Sequence, residues 1–399
     1  MKYKCISLVA FGGLFLSSAL LVGARTWTDV KGRKLEAEIV SKIEDSVTIH
    51  LKGKDTEISL KKLSKADRDF VAEWEAEEAD EEPKTETKKA LPESAEVYFK
   101  KAWPKLVSVD TDIEIEEEVT DEGSYIYRSP HYEFVSNAKL SKVPVKRFAV
   151  LFEATRQYVQ SVPYASLKAH KEDVRYKVML FSTHGAYVRA GAPEGSAGVY
   201  LPSKDLILVK FESLGLIKRG SSWALDYDRT NKTLPHEITH QLTDREYYSE
   251  GSRGWFTEGF AEYVAATPYR SGKFGVNKAP GAVEQYVTHF SKKDGRGRNL
   301  GEEIDVVDLK EFMMMSYREF AYDGDANYNY GVGALLVTYF NHYDGEGDAA
   351  NIKNFLRALK QGKKGEDALK SLLAGRTFDE LEQDITKGWR KRGVKLNFD

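Results

Sequence analysis

Residues 236–240 read His-Glu-Ile-Thr-His. Side chains four apart on a helix share a face, so His236 and His240 can turn their imidazoles toward one cation. Glu237, a turn aside, then faces any water that the cation holds. Two imidazoles bind a zinc ion, and a carboxylate beside metal-held water is placed to take its proton, which is the chemistry of hydrolysis. The flanks permit the helix. Ile238 and Thr239 are neither Pro nor Gly, Thr233 suits the N-cap, and Pro235 is tolerated in the first turn. The alternative is a surface helix whose histidines are only spaced like ligands.

Eighteen positions after His240 stands Glu258, within Trp255-Phe256-Thr257-Glu258-Gly259-Phe260-Ala261-Glu262-Tyr263. The two segments together resemble the gluzincin peptidases, including the aminopeptidase-N-like group. That resemblance implies that Glu258 is the third ligand, carried on a second helix. Thermolysin-like relatives use a carboxylate four residues further on to hold a zinc-bound histidine by its outer nitrogen, a role that falls here on Glu262. A third histidine six residues after His240 would mark the metzincins, but position 246 is Glu.

The aminopeptidase-N-like group also carries an oxyanion-binding tyrosine in Tyr-x-x-Gly-Ala, and residues 328–336 read Tyr-Asn-Tyr-Gly-Val-Gly-Ala-Leu-Leu. Tyr330 has Gly333 and Ala334 in register, whereas Tyr328 has only Gly331; the alternative is that both are packing aromatics. The Gly-x-Met-Glu-Asn element with which that group anchors a substrate amine is absent, which points to endopeptidase action. The resemblance as a whole implies a zinc-dependent hydrolase of peptide or protein substrates with Glu237 as general base. The rival reading is a noncatalytic envelope-binding protein built on a zincin-like scaffold.

At 399 residues the chain has room for two or three domains. A net charge of −3 without a long basic run leaves no footprint for nucleic acid, which is dropped as a partner. Lys2 and Lys4 precede an apolar stretch from Ile6 to Val22, and Val22-Gly23-Ala24 stands before Arg25. This reads as a cleaved signal peptide over 1–24, with no membrane span afterwards; a retained anchor is the alternative. The one cysteine, Cys5, would leave with the signal, so neither disulfides nor thiol catalysis is expected. A secreted, periplasmic or envelope location in a bacterium suits such a chain.

The elements that must position the motif form an α+β arrangement. Residues 25–74 alternate apolar and polar, as in Leu35, Ala37, Ile39 and Val47, Ile49, Leu51, and end in a short helix capped by Ser64. From Arg25-Thr26-Trp27-Thr28-Asp29 through Gly32-Arg33 to Phe70-Val71 this segment resembles the SLA homology domain, a small SH3-like β-barrel. The resemblance implies a module that binds an envelope component or protein ligand, with a structural cap as the alternative. A charged linker over 75–92 cannot bury a core.

Residues 93–399 would form the zincin-like domain, with an α/β portion followed by a mostly helical half from about 279. Residues 129–137 and the helix around Lys146 to Val159 resemble the start of uncharacterised bacterial families related to the gluzincins. Two β-runs, Ala197–Leu201 and Leu206–Lys210, precede the histidine helix, and in gluzincins a strand there borders the cleft. His131 and His184 are either further ligands or structural residues. Helices are expected over Val332–Phe340, Ala349–Lys360 and Phe378–Arg390.

Overall fold

The computed structural model describes residues 25–43, 46–51, 54–71, 93–121, 123–164, 174–220, 222–226, 233–291 and 297–398. The expected signal peptide and linker lie outside these residues. The chain divides into two compact units, Met1–Thr87 and Lys88–Asp399, and the fold is mixed α+β.

In the first unit, β1 (Arg25–Thr28), β2 (Lys34–Ile43), β3 (Ser46–Leu51) and β4 (Lys54–Ser59) form an antiparallel meander. Alternation puts Trp27, Ala37, Val47 and Ile49 on one face, where they pack with Leu63 and with Val71 of helix α1 (65–71). Ser64 caps α1 as expected, its Oγ accepting the Asp67 N–H at 3.2 Å. Asp67 in turn accepts the Thr28 N–H at 2.8 Å, which ties the helix to β1. Among the described residues β1 and β4 do not pair; the bridge Asp29↔Leu63 and the Asp67–Thr28 hydrogen bond link the end of β1 to the segment after β4. The sheet is therefore open, where the sequence suggested a closed barrel.

The second unit opens with α2 (Glu93–Phe99) and β5 (Val107–Ser108). Its main sheet contains β6 (Glu116–Val119), β7 (Tyr125–Arg128), β8 (Tyr132–Ser136), β9 (Tyr176–Phe181), β10 (Gly198–Leu201) and β11 (Leu206–Lys210). The order is β10-β11-β9-β8-β7-β6; β9 runs parallel to both neighbours and every other pair is antiparallel. Helix α3 (Lys142–Ser161) lies between β8 and β9 in sequence, and its Phe148 and Phe152 meet Phe134 of β8 edge-on. After the short α4 (His184–Arg189), β10 forms a sheet edge, and the hairpin β12 (Leu216–Arg219) and β13 (Ser222–Leu225) follows.

Two helices then carry the motifs, α5 (Thr233–Leu242) and α6 (Trp255–Ala266). The short strands β14 (Tyr269–Arg270) and β15 (Lys273–Phe274) return to β5. From Ala279 onward come α7 (Ala279–Thr288), α8 (Leu309–Met314), α9 (Ala326–His342), α10 (Ala350–Lys360), α11 (Gly365–Leu373) and α12 (Phe378–Arg390). Helix α12 begins and ends where the sequence predicted. The half is not wholly helical, because β16 (Glu303–Val306) and β17 (Lys395–Phe398) pair in parallel. Among the described residues no helix is long and apolar enough to cross a membrane.

All twelve residues of α6 are buried, and α9 crosses it with almost no separation. A Cβ on Gly259 would stand 2.4 Å from the Gly333 carbonyl oxygen, and one on Gly333 would stand 2.9 Å from that of Trp255. Backbone meets backbone at this crossing, so no side chain can move aside. Gly259→Ala is expected to destabilise the fold by about 1–3 kcal/mol through overpacking. Gly281→Ala in α7, where an added Cβ meets nothing within 4 Å, should be close to neutral. Urea unfolding of both variants checks this.

Candidate metal centre

His236 and His240, one turn apart on α5, present their Nε2 atoms 2.9 Å from each other. Glu258, in the first turn of α6, puts Oε2 3.2 Å from His236 Nε2 and 3.1 Å from His240 Nε2. Among the described residues this is the one group of three ligating side chains close enough together to hold a metal ion. The side chains are 14%, 11% and 3% exposed, so the histidines keep slight access to solvent while Glu258 is buried.

The outer atoms explain why the inner ones converge. Tyr248 donates its hydroxyl to the His240 carbonyl at 3.2 Å, leaving the phenolic oxygen to accept from His240 Nδ1 at 3.1 Å. That assigns the proton to Nδ1 and turns the Nε2 lone pair inward. His236 Nδ1 lies 2.9 Å from Glu262 Oε1, although its N–H is not aligned for a full hydrogen bond. The two Nε2 atoms and a carboxylate oxygen of Glu258 face one point, where a proton relieves the crowding in the metal-free protein and a cation would take its place. The donor set of two imidazoles and one carboxylate, each backed by an outer partner, fits a metal with an open fourth position.

Charges follow the same geometry. Burial pushes the Glu258 carboxyl up, yet His240 and His236 together hold it well below the usual carboxylate range. Burial lowers His236, and Glu258 and Glu262 more than reverse this, leaving it well above the usual imidazole range. Glu262 is raised by burial but brought down to about 2 by His236 and Arg298. Glu237 moves the other way, raised by burial with only partial relief from His236 and His240. Its Oε2 accepts the Tyr200 N–H of edge strand β10 at 2.9 Å, so the strand predicted to border the cleft runs beside α5.

The structure separates the two tyrosines. Tyr328 donates to the Asp305 carbonyl at 2.7 Å, away from the cluster. The Tyr330 ring lies 6.1 Å from that of His236, and burial, then Glu258, pushes its hydroxyl pKa far up. The crossing at Gly259 and Gly333 explains the placement: Tyr330 is one turn before Gly333, while Glu258 and Glu262 flank Gly259.

His131 and His184 stay outside the cluster. His131 Nδ1 lies 2.7 Å from Glu153 Oε2, and Glu153 also accepts from Ser129 Oγ at 2.7 Å, which fastens the β7–β8 turn to α3. His184 is exposed at the start of α4. The side chain of Thr233, the expected cap, lies outside those described; α5 begins at that residue.

Sequence reasoning missed three side chains. Tyr317 donates to Glu258 Oε1 at 3.1 Å, Tyr248 backs His240, and Arg298 lies 2.9 Å from Glu262. In a chain with 22 tyrosines neither Tyr248 nor Tyr317 carries a distinguishing signal. A cavity of about 590 Å³ with a mixed lining, including Leu234, Pro235, Ala266, Arg147, Asp226 and His289, holds none of the three candidate ligands on its wall. No protein-family model matches the chain, and a search of curated proteins finds no match.

Two outcomes are expected. His236→Ala should lose stoichiometric metal by atomic absorption, while Glu262→Ala should bind it about 10–100-fold more weakly. In the metal-free protein, Glu262 sits lower folded than its ordinary 4.5, so its contribution is present above pH 4.5 and lost as pH falls toward about 2. Acid titration of stability should therefore be shallower over that window for Glu262→Gln than for the parent.

Proposed function

We propose that the chain is a secreted zinc peptidase of gluzincin type that cuts within peptide chains. The observation that carries this reading is the joint placement of His236, His240 and Glu258 around one point with Glu237 beside it. A purely structural metal site has no use for a carboxylate that stands between its ligands without joining them. The resemblance of the two motifs to the gluzincins supports zinc as the metal and peptides as substrates.

Zinc bound there would lower the pKa of its water toward ~7 and polarise a carbonyl. Glu237 takes the water's proton and later passes it to the leaving amine. Its raised pKa suits an acid that must give the proton back. Tyr330, its hydroxyl kept protonated by burial, donates to the carbonyl oxygen as negative charge develops there. The outer edge of β10, apart from the Tyr200 N–H that Glu237 already accepts, offers backbone groups to an extended substrate, which favours cleavage within a chain over trimming of its end. The first unit, whose sequence resembles the SLA homology domain of SH3-like type, serves as a tether to an envelope component or protein ligand.

Turnover of an unbiased peptide library by the zinc-loaded protein is the direct test. Bound zinc with no cleavage would favour a noncatalytic envelope-binding role instead. Glu237→Gln keeps the shape but cannot accept a proton, so turnover should fall about 10²–10⁴-fold with zinc content unchanged. Tyr330→Phe should lose kcat by about 10²–10³ with little change in KM, while Tyr328→Phe stays near the parent.

A further inference from the structure

Glu262 orients His236 only as well as its own carboxylate is held. The side chain turns about three bonds, and one oxygen, Oε1, lies 2.9 Å from His236 Nδ1. The same oxygen is 2.9 Å from Arg298 Nη2. We infer that Arg298 is a positioning residue for the metal site, holding Glu262 so that His236 presents its Nε2 to the ion. This rests on the proposed reading of the site as a metal centre.

Arg298 is itself fixed from several sides. Its backbone N–H donates to the Tyr286 carbonyl at 2.7 Å, its carbonyl accepts from Asn327 Nδ2 at 2.8 Å, and Nη1 donates to Asn327 Oδ1 at 3.3 Å. The guanidinium carbon lies 5.1 Å from the Tyr330 ring centre and 5.7 Å from that of Tyr286, so aromatic faces enclose the cation. Its side chain is 19% exposed and that of Glu262 is 5% exposed. At such burial a paired carboxylate is held firmly, whereas removal of one partner leaves a charge without compensation. The chain Arg298, Glu262, His236 thus runs from an irregular segment after α7 to the point where the candidate ligands meet.

Zinc affinity, read by competition with a chelator on the full chain, tests the inference. Arg298→Met should bind zinc about 10-fold more weakly, the lower end of the loss usual for groups that act behind a ligand. Arg298→Lys, which keeps a cation at the same place, should recover most of the affinity. Combined with Glu262→Gln, Arg298→Met should add almost nothing, because both act through one carboxylate. If Arg298→Met folds poorly, Arg298→Gln carries the same expectation. Parent-like affinity in the neutral variants, a lysine variant as weak as methionine, or full additivity with Glu262→Gln would overturn the assignment. A parent protein that takes up no zinc would instead overturn the metal reading, and this assignment with it.

Discussion

A carboxylate taken out of water costs several kcal/mol unless cations or hydrogen-bond donors replace the water, and α6 carries two. Glu258 and Glu262 sit on a helix with no exposed residue, 3% and 5% exposed themselves. Cations and donors around them answer most of that demand, although Glu262 Oε2 has no hydrogen-bond partner among the described residues. His236 and His240 meet the first, Tyr317 donates to its other oxygen, and His236 with Arg298 meets the second. A metal ion at the point where these side chains meet would take the place of the proton that His236 otherwise holds.

The helix crossing makes this arrangement possible. Without Cβ atoms at Gly259 and Gly333, α9 approaches α6 closely enough to bring Tyr330 to the edge of the cluster. The same glycine that follows Glu258 therefore sets the distance to the aromatic that faces it. On the other side, the β10 edge places a backbone N–H on Glu237, so sheet and helices meet at the proposed base.

The site was legible in the sequence to the extent that it lies on regular helices. Four-residue spacing placed His236 and His240 on one face, and it placed Glu262 on the face of Glu258. Register against Gly333 and Ala334 chose Tyr330 over Tyr328, which the structure sends to Asp305 instead. What escaped sits on irregular backbone or pairs across long separations. Arg298 reaches Glu262 from a segment between α7 and β16, and no periodicity relates them. The parallel pair β16–β17 joins residues 92 positions apart, such as Glu303 and Lys395, inside a half that reads as mostly helical. In the first unit, alternation located the strands and their buried face, but alternation says nothing about whether the outer strands meet.

The central claim is that His236, His240 and Glu258 together bind one metal ion. Zinc K-edge X-ray absorption on protein loaded with one equivalent and passed through a desalting column tests it most directly. About four nitrogen or oxygen neighbours at roughly 2.0–2.1 Å, with the scattering pattern of two imidazoles, are expected. Zinc lost on the column, or a shell of oxygen alone with no imidazole signature, would contradict it.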